Sequence, residues 1–119
     1  SVHIKYPWKL KIGDHCWIGE NVWLDNVEPI EIGNNVCISQ GALLLTGSHD
    51  HRKETFDYFC GPIFIEDGVW IGAKAIVAKN VRCKTHCILS VNSVAERDLE
   101  PYTIYKGNPC IAITKRKIN

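Results

Sequence analysis

Two histidines flank an aspartate in Gly47-Ser48-His49-Asp50-His51. An ordinary imidazole titrates near pH 6.5, so either ring is suited to take a proton from a hydroxyl at neutral pH. Two imidazoles this close would equally supply two ligands of a metal site, or lie solvated in a loop. The segment runs on to Gly61 as a polar, charged and aromatic stretch carrying Asp57, a carboxylate able to orient a histidine through a hydrogen bond. A second polar pair, Asp25-Asn26, interrupts an aliphatic stretch, either satisfying its own corner or facing a ligand. In Cys83-Lys84-Thr85-His86-Cys87 the flanking positions hold no second ligand pair at structural-zinc spacing, so no metal is expected.

These residues stand against a repeat. Every sixth residue is aliphatic or small: Ile12, Ile18, Leu24 and Ile30; then Ile32, Ile38 and Leu44; then Ile65, Ile71, Val77, Cys83, Leu89 and Ala95. A second beat of mostly small residues falls four places later, at Cys16, Val22, Val36, Ala42, Val69, Ala75, Val81, Cys87 and Ser93. Period six matches neither helix nor simple strand alternation, and with this two-position code it predicts an all-β parallel β-helix. Each short strand supplies one inward aliphatic residue, and the chain then turns a corner of a triangular prism. Coils would stack about 4.8 Å apart, as strands do in any ladder. Aligned coils place Ile12, Ile32, Ile65 and Cys83 in one column, Ile18, Ile38, Ile71 and Leu89 in a second, and Leu24, Leu44, Val77 and Ala95 in a third. Gly13, Gly19, Gly33 and Gly72 follow inward residues, where a tight turn would favour a residue without Cβ.

The beat fails once, over residues 46–61, and resumes in phase, which predicts an extruded loop carrying His49 and His51. It dissolves again after Ala95, and the tail, 96–119, is expected to cross back over the prism. Four to five coils leave open ends, for which oligomerisation or capping segments are the remedy. The first residues already read as part of a coil without a helical cap, so the chain reads as an N-terminally shortened form of one domain spanning 1–119.

Composition narrows the partners. A net charge of +1 with one short basic cluster, Lys115-Arg116-Lys117, gives no reason to expect a nucleic-acid partner. No stretch approaches the roughly 20 apolar residues of a membrane span. Ser1-Val2-His3-Ile4-Lys5 lacks the basic and apolar regions of a signal peptide, so a cytoplasmic protein is expected. Cys16, Cys83 and Cys87 fall on inward beats, where a thiol is a small hydrophobe, not half a disulfide. Trp17, Trp23 and Trp70 each precede an inward aliphatic residue and should point outward, packing across a subunit interface.

The sequence resembles the hexapeptide-repeat acyltransferases, most of all the colanic-acid-type polysaccharide O-acetyltransferases and the maltose and galactoside acetyltransferases. The resemblance rests on Ile18-Gly19-Glu20-Asn21-Val22-Trp23, Gly47-Ser48-His49-Asp50, Ile65-Glu66-Asp67-Gly68-Val69-Trp70-Ile71-Gly72-Ala73 and Gly107-Asn108-Pro109, and covers nearly the whole chain. It implies a left-handed helix, a homotrimer, and acetyl-CoA held between neighbouring subunits for transfer of acetyl to a hydroxyl of a sugar or polysaccharide precursor.

The resemblance also distributes roles. His49 stands at the family's catalytic histidine and His51 on the acceptor side. Asp25 occupies a position that is asparagine in the sugar acetyltransferases, with Asn26 beside it as a substitute; apart from the resemblance, the Asp57 carboxylate could orient His49. Ala73 and Val91 stand at the two positions, one coil apart, whose backbone meets pantetheine. Arg97 replaces a common lysine opposite the nucleotide phosphates, and Lys115 and Arg116 could add charge there, although Ile111 and Thr114 replace arginines of relatives. Two other classes share the prism: the gamma-class carbonic anhydrases, whose third histidine ligand has no counterpart at the expected distance here, and a non-catalytic trimeric scaffold, suggested by Lys84 and Ser90 at glycine positions.

Overall fold

A computed structural model describes residues 1–119. Fifteen strands follow in chain order: β1 (His3–Ile4), β2 (Leu10–Ile12), β3 (Trp17–Ile18), β4 (Trp23–Asp25), β5 (Ile30–Ile32), β6 (Cys37–Ile38), β7 (Leu43–Leu45), β8 (Ile63–Ile65), β9 (Trp70–Ile71), β10 (Ile76–Val77), β11 (Arg82–Cys83), β12 (Ile88–Leu89), β13 (Val94–Ala95), β14 (Thr103–Gly107) and β15 (Cys110–Lys115). One 3-10 turn, Pro7–Lys9, precedes β2. The strands form three sheets: a first face β1-β4-β7-β10-β13, a second face β2-β5-β8-β11, and a third face β3-β6-β9-β12-β14-β15. Consecutive coils pair in parallel, giving a β-helix of about five coils.

The columns expected from the six-residue beat are the observed register. Ile12 pairs with Ile32, Ile32 with Ile65 and Ile65 with Cys83; Ile18, Ile38, Ile71 and Leu89 align likewise, as do Leu24, Leu44, Val77 and Ala95. Twenty buried residues form one continuous core. Full burial of an aliphatic side chain stabilises by about 1.5–3 kcal/mol, and a stack of them sets the register. Ile12 is 42% exposed because no coil lies beyond it on that side. Cys83 and Cys87 are buried core filler; their mutual hydrogen bond, and then burial, push the Cys83 thiol well above its ordinary value. All six cysteines are free thiols.

The corner glycines have a different reason from the one expected. None of Gly13, Gly19, Gly33 and Gly72 has positive φ; a Cβ on Gly72 would lie 2.6 Å from Val91 N, and one on Gly13 2.7 Å from the Gly33 carbonyl. Close stacking of the next coil excludes the side chain. The left-handed turn residue sits instead directly before the small inward residue, at His15, Asn21, Asn35, Lys74, Asn80, His86 and Asn92, with Gly41 and Gly68 in the same role. Asparagine, whose short polar side chain tolerates this region, takes the position four times.

The tail also departs from expectation, continuing the prism instead of crossing back over it. Leu99, buried to 1%, bridges to Cys83 and extends the second face. β14 then adds to the third face beside β12, and β15 folds back antiparallel on β14. Leu99 keeps the six-residue spacing of the second beat but stacks on Cys83 of the first, two places earlier than an eighteen-residue coil would put it, and Thr103 is displaced with it, which hid this last coil. Trp17, Trp23 and Trp70 point outward, as expected.

Candidate functional site

The excursion leaves the corner between the first and second faces, after β7, and returns at β8. Its neck is built by Thr46, fully buried, whose N–H and Oγ1 both donate to the Asp25 carbonyl, at 3.1 and 2.7 Å. Gly61 N–H donates to the Thr46 carbonyl at 3.1 Å and closes the neck. Beyond it the chain forms a small hairpin: His49 and Tyr58 bridge antiparallel, Phe59 N–H donates to Ser48 O and Asp50 N–H to Asp57 O. The tip is clipped by charge. Arg52 Nε and Nη2 grip both Asp50 oxygens at 2.9 and 3.1 Å, and with the Arg52 backbone N–H they hold the Asp50 carboxyl below its ordinary value. Lys53 lies 3.3 Å from Asp57, and Thr55 Oγ1 donates to the same carboxylate at 2.7 Å.

His49 is fixed by a group that sequence reasoning missed. Its Nδ1 lies 2.8 Å from the carbonyl oxygen of Phe56. A carbonyl only accepts, so Nδ1 carries the hydrogen and the Nε2 of a neutral ring keeps its lone pair. Tyr58 stacks on the imidazole at 5.3 Å between centroids. The ring borders a cavity of about 470 Å³ lined also by Lys5, Asp25, Val27, Leu45, Gly47, Ser48 and Tyr58. Lys5 and Tyr58 were likewise not anticipated: Lys5 arrives by stacking of the first coil, and Phe56 acts through its main chain, which no residue type announces.

Of the expected acceptor-side residues, Asp25 shares this cavity with His49, and no hydrogen bond or ion pair within the chain occupies its carboxylate. Asn26 does not share it. Its buried amide is spent on Tyr6, accepting from the N–H at 2.9 Å and donating to the carbonyl at 2.8 Å, so it cannot stand in for Asp25. Asp57 does not hold the histidine: its carboxylate faces Thr55 and Lys53, while the adjacent Phe56 carbonyl takes that role. His51 lies exposed at the loop tip.

Ala73 and Val91 lie together on the corner between the third and first faces. With Ser39, Gln40, Trp70, Gly72 and Ser90 they line a cavity of about 480 Å³, into whose wall the Trp70 indole is pinned by Ser39 Oγ at 2.9 Å. The N–H groups of Ala73 and Val91 have no acceptor within the chain, leaving two donors one coil apart on an accessible edge. Arg97 is exposed, forms no ion pair, and borders a cavity of about 510 Å³ with Tyr105, Cys110 and Ile111. Lys115 and Arg116 lie elsewhere, by the corner between the second and third faces. Lys115 Nζ donates to Thr103 Oγ1 at 3.2 Å. Arg116 Nη1 donates to the carbonyls of Gly68 and His86 at 2.7 and 3.1 Å, tying the final strand to the prism, so its guanidinium is already engaged within the fold.

No three His, Cys, Asp or Glu side chains converge as a metal-binding group, and no helix is long and apolar enough to cross a membrane.

Comparison with known proteins adds to this geometry. A family model described as "Hexapeptide repeat of succinyl-transferase" matches residues 9–45. The chain is 36% identical to "Putative colanic acid biosynthesis acetyltransferase WcaF" of Escherichia coli (strain K12), over 98% of this chain and 64% of that protein. It is 26% identical to the galactoside O-acetyltransferase of Escherichia coli (strain K12), over 99% of this chain and 59% of that protein. The chain thus spans less than two thirds of the length of these curated relatives. The crystal structure of the hexapeptide-repeat containing acetyltransferase VCA0836 from Vibrio cholerae superposes with a TM-score of 0.92 at 32% identity, covering 98% of this chain and 68% of that one. The same Vibrio protein has been solved in complex with acetyl-coenzyme A, at a TM-score of 0.91. With its coils in register, its loop histidine oriented and this similarity running from end to end, the chain belongs to the hexapeptide-repeat acetyltransferase family.

Proposed function

We propose that this protein transfers acetyl from acetyl-CoA to a hydroxyl of a sugar or polysaccharide precursor, with His49 as general base. The observation that carries the reading is the hydrogen bond from His49 Nδ1 to the Phe56 carbonyl, which leaves Nε2 as the proton acceptor beside the Asp25 carboxylate. Nε2 takes the hydroxyl proton as the oxygen attacks the thioester carbonyl. A backbone N–H stabilises the tetrahedral oxyanion, and its collapse expels the coenzyme A thiolate, which recovers the proton from the imidazolium. No covalent enzyme intermediate is needed.

Asp25, an acceptor-only group when ionised, would take a hydrogen bond from a neighbouring sugar hydroxyl, with His51 and the Asp57 side of the loop at the rim. The two free N–H donors of Ala73 and Val91 suit the amides of pantetheine, and Arg97 suits a phosphate, whereas Lys115 and Arg116 lie on another corner. Acetyl-CoA is bound by VCA0836, and galactoside O-acetyltransferase is named for a sugar acceptor.

The base and the cofactor donors lie on different edges of one prism, bounding the first face from opposite sides, so a complete site calls for a neighbouring copy. The outer columns support this. The first face presents Trp23, Leu43, Ile76 and Val94 and the third presents Trp17, Cys37, Trp70, Ile88 and Ile104, whereas the second presents Lys11, Glu31, Phe64 and Arg82. Two apolar flanks and one charged flank suit a homotrimer with sites at its boundaries. Six free thiols accord with the reducing cytoplasm.

The test is thiol release from acetyl-CoA against a panel of sugars and nucleotide sugars, run beside His49→Ala on protein of checked oligomeric state. Turnover should fall by roughly 10²–10⁴-fold in the variant; full activity in His49→Ala would sink the assignment.

A further inference from the structure

We infer that Phe56 is a positioning residue for His49 that works through its main chain: its left-handed backbone conformation aims its carbonyl at His49 Nδ1 and so selects the tautomer whose Nε2 is free. The inference rests on the reading of His49 as the base and adds what makes it one.

Phe56 has φ +48°, a region that residues with a Cβ seldom enter and bulky ones least of all. Among the nine non-glycine residues with positive φ, eight occupy the repeating corner turn directly before an inward residue, Tyr102 before Thr103 included. Phe56 is the exception. Its ring is 61% exposed and lies outside the core, so side-chain packing does not hold the conformation. The main chain does. Phe56 N–H donates to Lys53 O at 3.0 Å and the next carbonyl, of Asp57, accepts from Asp50 N–H at 2.7 Å. Between these two bonds the chain must reverse within one residue. A right-handed or extended Phe56 would swing the intervening peptide plane, and with it the carbonyl, away from the imidazole.

The ion pairs at the loop tip flank this residue on both sides: Arg52 with Asp50, Lys53 with Asp57, and the Thr55 hydroxyl on Asp57. A strained residue persists where its surroundings over-determine it, and the group delivered here is the one that fixes the base.

The test turns on substitutions that separate backbone from side chain. Glycine enters the left-handed region freely, whereas valine, β-branched, is strongly disfavoured there. In full-length protein with ¹⁵N-labelled histidine, the nitrogen shifts of His49, assigned by difference against His49→Gln, should report the Nδ1–H tautomer in wild type and in Phe56→Gly. Phe56→Val should show a mixture or the Nε2–H form. Acetyl transfer should follow: kcat of Phe56→Gly within about twofold of wild type, that of Phe56→Val lower by roughly 10–100-fold, and KM for acetyl-CoA unchanged in both. Phe56→Ala, milder than valine, provides the comparison should Phe56→Val fail to fold. Retention of tautomer and rate in the folded valine or alanine variant overturns the inference, as does a loss in Phe56→Gly equal to that in Phe56→Val, which would assign the role to the ring. Should the wild type transfer acetyl to no acceptor, the proposed activity falls while the tautomer measurement still decides the role of Phe56.

Discussion

Asn26 and Tyr6 are joined by two hydrogen bonds across adjacent coils, Tyr6 N–H to Oδ1 at 2.9 Å and Nδ2 to the Tyr6 carbonyl at 2.8 Å. One buried side chain thus bonds both peptide groups of a residue that flanks Lys5 and opens the turn Pro7–Lys9, whose own Lys9 N–H shares the Tyr6 carbonyl at 2.9 Å. The pin fixes the N-terminal wall of the His49 cavity.

Asn26→Ala is expected to lower stability by about 1–3 kcal/mol, since it leaves the Tyr6 N–H without an acceptor while the Tyr6 carbonyl keeps only Lys9 N–H. Asn26→Asp should cost at least as much, because it buries a carboxylate and sets its second oxygen against the Tyr6 carbonyl in place of a donor. Urea unfolding of the two variants checks both; a change below 0.5 kcal/mol, by the error of such measurements, would mean that water replaces the amide without loss.

Arg97 and Arg116 should separate cleanly. Arg97, exposed and unpaired, is the guanidinium available to a phosphate, and Arg97→Ala should raise KM for acetyl-CoA by roughly tenfold with unchanged stability. Arg116 is spent on the carbonyls of Gly68 and His86, so Arg116→Ala should lower stability by about 1–3 kcal/mol and leave KM alone. Steady-state kinetics beside thermal unfolding reads both effects, and the reverse pattern would exchange the two roles.

A Cβ on Gly19 would lie 2.5 Å from Gln40 N and 2.9 Å from Gln40 Cα, both main-chain atoms that move only if the coils part. Gly19→Ala should therefore destabilise by about 1–3 kcal/mol. Gly47, whose added Cβ would first meet Val27 Cγ2 at 3.4 Å, should accept alanine within about 0.5 kcal/mol. Denaturant midpoints of the pair provide the comparison.

The Asp50–Arg52 clip predicts a pH dependence with a definite sign. The carboxyl is held below its ordinary value of 3.8, so its contribution to loop order is present above that value and is lost as pH falls through the lower folded value. The Arg52 Nε–H resonance should therefore shift and its exchange quicken only below about pH 4. In Asp50→Asn that acid transition should be absent; its persistence would place the titration on another group.

How far these features could be read beforehand depended on whether a side chain or a backbone atom does the work. The columns of Ile32, Ile65 and Cys83 were legible because each inward residue answers only to its stacked neighbour. The last coil was not, because it is two residues short: Leu99, on the second beat, fills the column of Cys83, and Thr103 shifts with it. His49 announced itself by residue type and by the break in the repeat. The group holding it was placed one residue too far along, at Asp57, because a carboxylate is visible in a sequence and the aim of the Phe56 carbonyl is not. For Asn26 the residue type left two readings, a corner satisfying itself or a group facing a ligand, and only the stacked coils, which bury it against Tyr6, select the first.

The neck of the excursion, where Gly61 N–H meets the Thr46 carbonyl, separates two kinds of change. Everything between those residues hangs from a closed ring, while the ladder passes from β7 to its neighbours as though nothing intervened. Insertions, deletions or wholesale replacement of the segment 47–60 should therefore leave the prism able to fold, at the cost only of contacts such as that of Lys79 with the Phe59 ring. Lineages descended from this chain can exchange the head and inherit the shaft intact.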